Sequence, residues 1–334
     1  MTDFVNNLIA WTTRSLSGIV SVNQFDVSAM AAITLVCLAC GLVGSLVVGN
    51  RMAFFSDAMA HTAFAGVATG LIGILIIAQP KNPLEAGRHL WIVPLVTVIV
   101  GVLVGSAMEF VRERTGLTND TVIGVFFAAA VGFAVTVYPS VTARTGVKPE
   151  DFLFGSPLFV TPMELILLFA LVLTVAAVIV WRYNAIVFGI ISPPLARSRG
   201  IPLRFGNYLF IILLALVVNL SIRAVGVLLI NALLIVPAAA AVNLAGNARQ
   251  MFRYTLIFSL LSGWLGYVLS WKVTVPIGRG DPLELAPGGT IVLTAVSLFF
   301  ATMIFGALRR RFGFDKPRHS HVPGDPAHAG CCGV

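Results

Sequence analysis

Nine long apolar stretches run along this chain, and they constrain its fold more than any other feature. A helix needs about 20 mostly apolar residues to cross the hydrocarbon core of a bilayer. The stretches cover residues 28–49, 53–78, 91–111, 119–138, 162–182, 206–222, 225–245, 252–271 and 289–308. They are too long and too uniformly apolar for the alternating strands of a β-barrel. The sequence therefore predicts an all-α, polytopic membrane protein with eight or nine transmembrane helices, since only Arg223 interrupts residues 206–245.

The composition agrees with a chain that is embedded in lipid. Hydrophobic residues make up 58% of the sequence and charged residues only 11%, against about 25% charged residues in a soluble domain. The net charge of +8 is scattered between apolar blocks without an aromatic-rich basic patch, so we expect no nucleic-acid binding. We predict an interfacial amphipathic lead-in over 1–27, a transmembrane domain over 28–308, and a polar, disordered tail with His and Cys residues over 309–334.

Lysine and arginine in the short loops predict the orientation, because these residues are enriched on the cytoplasmic side. With the amino terminus outside and the carboxyl terminus inside, 14 of the 22 basic residues lie inside. The bias favours a multi-pass protein of this orientation, with its carboxyl-terminal tail in the cytoplasm.

Glycine pairs inside the apolar stretches indicate close helix packing. Gly66 and Gly70 share one helix face, as do Gly101 and Gly105. Small residues spaced four apart let two helix backbones approach within a membrane. These pairs predict a helical bundle and say nothing about its chemistry.

Asp57 and His61 form the strongest candidate site, in the second apolar stretch. They stand four residues apart, so a helix presents both side chains on one face. A carboxylate and an imidazole together suit borderline divalent cations such as zinc, manganese and iron. An ionisable residue within a membrane helix costs about 2.5–3.5 kcal/mol and therefore indicates a function. Alternatively, Asp57 caps the helix amino terminus and pairs with Arg51 or His61, and His61 donates a hydrogen bond to a neighbouring carbonyl.

Asn231 and Pro237 are the polar and helix-breaking residues of the seventh stretch. Pro237 frees a backbone carbonyl one turn earlier, so the two residues are candidates for lining or gating a pathway. Asn231 also fits a second interpretation, a hydrogen bond between helices, and Pro237 fits a tolerated kink.

Two polar segments outside the apolar stretches remain. The loop 192–202 carries Pro193, Ala196, Arg197 and Gly200 and suits either partner docking or an ordinary basic cytoplasmic loop. The tail contains metal-compatible residues without a standard ligand spacing, namely His319, His321, His328, Cys331 and Cys332. No G-x-x-x-x-G-K-[ST] motif occurs anywhere in the sequence, so the chain lacks a P-loop for ATP and we expect no enzymatic activity.

Taken together, these segments resemble the permease family of zinc, manganese and iron ABC importers. The second-stretch signature of that family looks like G-D-A-(L/I)-S-H-A-x-x-P-G, and residues 56–66 read SDAMAHTAFAG. The block RAVGVLLINALLIVPAA over 223–239 is similar to the family pattern along its whole length, and so are NDTVIG at 119–124 and DFLFG at 151–155. The ordered resemblance runs from about residue 28 to 308.

The resemblance implies a type II ABC importer permease that works by alternating access in the bacterial cytoplasmic (inner) membrane. It implies a homodimer or paired permease, separate cytoplasmic ATPase subunits that use the ATP, and an extracytoplasmic metal-binding protein. Asp57 and His61 would be transient ligands of the transported zinc, manganese or iron, with no permanently bound cofactor. Pro193, Ala196, Arg197 and Gly200 would belong to the ATPase-coupling loop, although Ser192 and Pro194 stand where the family carries acids.

Two other transporters remain alternatives. A permease for a metal chelate such as a siderophore or corrinoid would need a wide aromatic or polar path, and no pairing of Asp57 with His61. An ion-coupled secondary transporter would need several buried acids, whereas the sequence offers Asp57 as the only convincing one. A membrane scaffold without transport activity would not explain why Asp57 and His61 lie on one face of a membrane helix.

Overall fold

A computed structural model of the protein describes residues 24–50, 52–77, 92–145, 155, 160–191, 203–272 and 285–311. Within these ranges all regular secondary structure is helical, and nine helices are long and apolar enough to cross a membrane. The predicted all-α, polytopic fold is therefore confirmed. The helices are α1 Gln24–Gly49, α2 Ala53–Ile77, α3 Ile92–Thr115, α4 Asn119–Thr145, α5 Pro162–Ile191, α6 Leu203–Val225, α7 Val227–Leu244, α8 Ala248–Lys272 and α9 Pro287–Arg311.

A break at Gly226 resolves the helix count that the sequence left open. Gly226 has φ of 83°, in the region of positive φ that glycine adopts without a steric cost. The backbone at Gly155 packs directly on it, and a Cβ at Gly155 would collide with the Gly226 nitrogen. Residues 206–245 therefore form two helices, α6 and α7, with a single residue between them.

Several helices extend past the apolar stretches that predicted them. α5 continues to Ile191, beyond the stretch that ends at residue 182. α4 continues through Pro139 to Thr145, although a proline removes one helical hydrogen bond. Hydropathy reports the thickness of the hydrocarbon core, whereas helical hydrogen bonding continues into the interfacial region.

The bundle has buried inner helices and lipid-facing outer ones. About two-thirds of the spanning window is buried in α1 and α6 (67% each), but only 22% in α4 and α9. α1 contacts α5, α6, α7 and α8, while α2 contacts α3, α4, α6 and α7. Large apolar side chains such as Val180 remain exposed on the outer helices, as expected where lipid replaces water.

The predicted glycine pairs are confirmed as close contacts that hold α2, α3 and α6 together. A methyl group at Gly66 would lie 2.9 Å from Thr97 Cα, which places α2 directly against the α3 backbone. Gly101 on α3 instead makes room for a side chain, that of Asn219 on α6. Because Gly66 leaves no space between α2 and α3, it fixes the position of α2, which carries the candidate site.

Candidate functional site

Asp57 and His61 occupy the second and third turns of α2. Every residue in the run 55–68 is buried except these two. Their side chains remain 45% and 27% exposed, respectively. α2 therefore presents both potential ligands on one partly accessible face.

Asp57 does not cap its helix, so the capping part of the alternative interpretation is wrong. α2 begins at Ala53 and has no acidic residue in its first turn. Asp57 lies beyond the backbone amides that a capping side chain reaches. The carboxylate of Asp57 therefore needs other partners.

His61 hydrogen-bonds within its own helix and keeps its second ring nitrogen available. Its Nδ1 lies 2.9 Å from the backbone carbonyl oxygen of Asp57 and 3.7 Å from Asp57 Oδ1. Since a carbonyl oxygen only accepts, Nδ1 is the donor, and neutral His61 keeps an unprotonated Nε2. A donated hydrogen bond of this kind orients an imidazole for metal binding through the other nitrogen.

Asn231 of α7 brings a third polar group to the site. Its Nδ2 donates to Asp57 Oδ1 over 2.6 Å, which joins two residues 174 positions apart in the sequence. Its Oδ1 is buried and accepts no hydrogen bond from the described residues. The site therefore brings the amide of Asn231 against the carboxylate of Asp57, beside the imidazole of His61.

Aromatic residues enclose one side of His61, and these were not predicted from the sequence. The ring of Phe127 on α4 lies 4.7 Å from the imidazole, centroid to centroid, and the ring of Phe64 lies 6.0 Å away. A cavity of about 700 Å³ extends from His61 along α4 as far as Ala143. Tyr138 lines it, and the hydroxyl of Tyr138 is buried without a hydrogen-bond partner in the described structure. No local pattern in α4 marks these residues, since only packing brings them to α2.

The other predicted site residues do not join this group. Pro237 is buried six positions after Asn231, on a different face of α7, and remains a hinge prediction. Pro193, Ala196, Arg197 and Gly200 lie outside the described residues, as do the tail residues His319, His321, His328, Cys331 and Cys332. Among the described residues, no three His, Cys, Asp or Glu side chains cluster around one point.

Glu109 corrects the expectation that Asp57 is the only convincing buried acid. Its side chain on α3 is fully buried, with 0% exposure, whereas Asp57 is partly exposed. Arg112, one turn later on α3, forms an ion pair with the Glu109 carboxylate. The burial of Glu109 is difficult to predict from the sequence, because Glu109 borders the charged run Arg112–Arg114, a pattern typical of a loop.

Comparisons of the sequence place this architecture among known transporters. The ABC 3 transport family matches residues 23–306 of the chain. The manganese transport system membrane protein MntC of Halalkalibacterium halodurans is 28% identical over 277 residues, covering 83% of this chain and 86% of that protein. The high-affinity zinc uptake system membrane protein ZnuB of Haemophilus influenzae is 28% identical over 261 residues, covering 78% and 90%.

Solved structures share the fold. PsaBC from Streptococcus pneumoniae, solved in complex with Fab, aligns with a TM-score of 0.69 at 22% identity over 90% of this chain and 99% of that chain. A metal-chelate type ABC transporter in an inward-facing conformation aligns with a TM-score of 0.62 at 14% identity. The family match covers most of the 334 residues in unbroken order, and the chain therefore belongs to the ABC 3 transport family.

Proposed function

We propose that this membrane protein is the permease subunit of a binding-protein-dependent ABC importer for a divalent transition metal, namely zinc, manganese or iron. The observation that carries the proposal is the convergence of Asp57, His61 and Asn231 from two helices at one accessible point. Family membership supports it, as do the manganese and zinc transport proteins among the relatives.

The chemistry of the group suits a transported ion better than a permanently bound one. A structural zinc site is closed by four strong ligands, whereas one copy of this chain offers a carboxylate and an imidazole. Asn231 donates a hydrogen bond to Asp57 Oδ1, so the carboxylate has a partner within the protein when a cation leaves. We expect brief binding during alternating access.

The exposure of Asp57 supports a homodimer or a paired permease. A carboxylate that is 45% exposed on a spanning helix is costly to leave facing lipid, by about 2.5–3.5 kcal/mol. Phe54 and Leu228 lie three residues before Asp57 and Asn231 and are 70% and 53% exposed. A second copy on this face would cover the apolar residues and bring a second Asp57 and His61 to the cation.

The proposal assigns the remaining parts of the importer to other subunits. Separate ATPase subunits would contact the loop 192–202 through Pro193, Ala196, Arg197 and Gly200 and supply the energy. An extracytoplasmic metal-binding protein would deliver the ion in the bacterial inner membrane. The tail residues His319, His321, His328, Cys331 and Cys332 form a weaker, secondary metal candidate.

Uptake of radioactive zinc, manganese and iron by cells that express the operon tests the proposal. We expect wild-type cells to accumulate one of these metals, and Asp57→Asn and His61→Gln to reduce that uptake to the level of cells without the chain. Membrane levels of each variant are measured in parallel. Thr69→Val is the matched control, because Thr69 bonds only to Ala65 of its own helix and lies outside the site.

The alternatives give different results in the same assay. Full uptake by both site variants would contradict the ligand assignment while leaving family membership intact. Uptake of a metal only when it is supplied as a chelate would favour the chelate permease. Uptake that persists without the ATPase subunit would favour an ion-coupled transporter.

A further inference from the structure

Glu109 forms the centre of a polar cluster at the end of the bundle that the charge bias predicts to be cytoplasmic. Its side chain is fully buried on α3. Its Oε1 accepts hydrogen bonds from Arg112 Nη2 and, over 3.2 Å, from Asn207 Nδ2 of α6. The carboxylate therefore joins two helices that are separated by almost 100 residues of sequence.

Two further contacts extend this cluster to α4 and along α6. Arg112 Nη1 lies 3.4 Å from Asn119 Oδ1 at the first residue of α4. Glu113 Oε1 lies 3.8 Å from Arg204 Nε in the first turn of α6. Two acids and two bases balance each other, so burial of Glu109 leaves no net charge in the cluster.

The start of α6 is also fastened to α5. The guanidinium of Arg182 lies between two aromatic rings, 4.8 Å from the ring of Trp181 and 4.9 Å from that of Phe205. Cation–π contacts of this kind strengthen when they are shielded from water. α6 begins at Leu203, directly after the loop 192–202 that is proposed to contact the ATPase. A displacement of that loop would therefore reach α6 at its first turn.

One turn further into the bundle, the same two helices contact the helix that carries the cation site. Gly105 precedes Glu109 by four residues, and Ile211 follows Asn207 by four. A methyl group at Gly105 would lie 2.8 Å from Ile211 Cγ2, and it would also meet the end of the Met59 side chain. Met59 stands between Asp57 and His61 on α2. The Glu109–Asn207 hydrogen bond therefore lies one helical turn away from a contact among α2, α3 and α6.

From this arrangement we propose that Glu109 is a positioning residue that couples movement at the start of α6 to the Asp57–His61 site. The inference rests on the proposed function, because it concerns how ATP use reaches that site. A hydrogen bond between a carboxylate and the side chain of another helix resists sliding, since it has one preferred geometry. Apolar contacts alone would allow α6 to slip past α3.

The test measures transport and ATP hydrolysis together, with the permease and its ATPase subunit purified as a complex and reconstituted in proteoliposomes. We expect Glu109→Leu, which removes the oxygen that accepts from Asn207, to raise the ATP hydrolysed per cation transported by roughly 2- to 30-fold, the range over which residues in a coupling network alter coupling. Cation binding by the detergent-solubilised complex should be unchanged, since Glu109 does not contact the site. Glu109→Asp should recover part of the lost coupling.

Matched variants separate this role from a structural one. Arg114→Gln removes a charge from α3 five residues after Glu109. Its guanidinium lies over the Phe110 ring of its own helix, outside the Glu109 cluster, and the variant should behave as wild type. The double variant Glu109→Leu with Asn207→Leu should be no worse than the poorer single variant, because either substitution alone removes the Glu109–Asn207 hydrogen bond.

Either of two results would overturn the inference: wild-type coupling in Glu109→Leu, or equal losses of uptake and ATP hydrolysis that follow the amount of folded complex. The proposed function fails separately, through a wild-type complex that transports no cation. The ligand assignment fails through an Asp57→Asn complex that still binds and transports the cation.

Discussion

At the scale of single residues, the pairing of Asn231 with Asp57 distinguishes this site from two ligands placed by chance on one helix. The amide holds one carboxylate oxygen through a 2.6 Å hydrogen bond. His61 is held in turn by the Asp57 carbonyl. Hydrogen bonds within the protein therefore orient both proposed ligands, which lowers the cost of ordering them on cation binding.

Removing this orientation should weaken cation binding more than it weakens the fold. We expect Asn231→Leu, which keeps the size of the side chain, to lower cation affinity by about 10- to 100-fold, as the loss of an orienting hydrogen bond does at other metal sites. The measurement is equilibrium binding of the transported metal by the purified protein in detergent. Asn243→Leu is the control on the same helix, because Asn243 bonds to Thr302 of α9. Equal affinity in both variants would show that Asn231 does not orient Asp57.

At the scale of helices, the glycine face between α2 and α3 determines where the site lies. Gly66 has no room for a methyl group beside the Thr97 backbone, whereas a methyl group at Gly73 on the same helix would meet no neighbouring atom within 4 Å. The two glycines therefore offer a matched comparison within one helix.

We expect Gly66→Ala to destabilise the folded protein by about 1–3 kcal/mol, the usual cost of overfilling a packed interface. Gly73→Ala should leave stability unchanged or raise it slightly, because alanine favours a helix. Thermal unfolding in detergent measures both. Uptake should fall in Gly66→Ala alone, since α2 must shift to admit the methyl group. Similar unfolding temperatures for the two variants would contradict close packing of α2 on α3.

At the scale of the whole molecule, the packing of a single copy does not explain why the carboxylate of Asp57 is partly exposed. It shares its face with Phe54, which is 70% exposed. In a dimer with two-fold symmetry, residues near the axis face their own copies. The proposed interface therefore places the two Phe54 side chains close together.

We expect a Phe54→Cys variant to form a disulfide-linked dimer in membranes under mild oxidation. Leu293→Cys on α9 is the control, because Leu293 is equally exposed at 68% but lies on another part of the bundle. Both are made with Cys331 and Cys332 replaced by serine, while Cys37 and Cys40 are buried. Non-reducing electrophoresis reports the product. Cross-linking of Leu293→Cys alone, or of neither variant, would place the partner elsewhere or exclude a symmetric dimer on this face.

Much of this architecture is determined by local properties of the sequence. Lipid accepts only backbones that satisfy their own hydrogen bonds, so each apolar stretch had to become a helix, and hydropathy was enough to find it. The four-residue spacing of Asp57 and His61 placed both on one face for the same local reason. Gly66 and Gly101 could be identified as packing surfaces because only small residues allow such approach.

Tertiary structure decided everything that depends on contacts between distant segments. Periodicity describes one helix at a time, so it could not show that Asn231 reaches Asp57, that Phe127 covers His61, or that Glu109 is buried against Asn207. The single-residue break at Gly226 also needed its neighbour Gly155, whose backbone leaves no room for a side chain. The sequence by itself determined which segments cross the membrane and which residue types could bind a cation. Packing decided which of them meet, because side-chain contacts between helices depend on helix positions that no local pattern encodes.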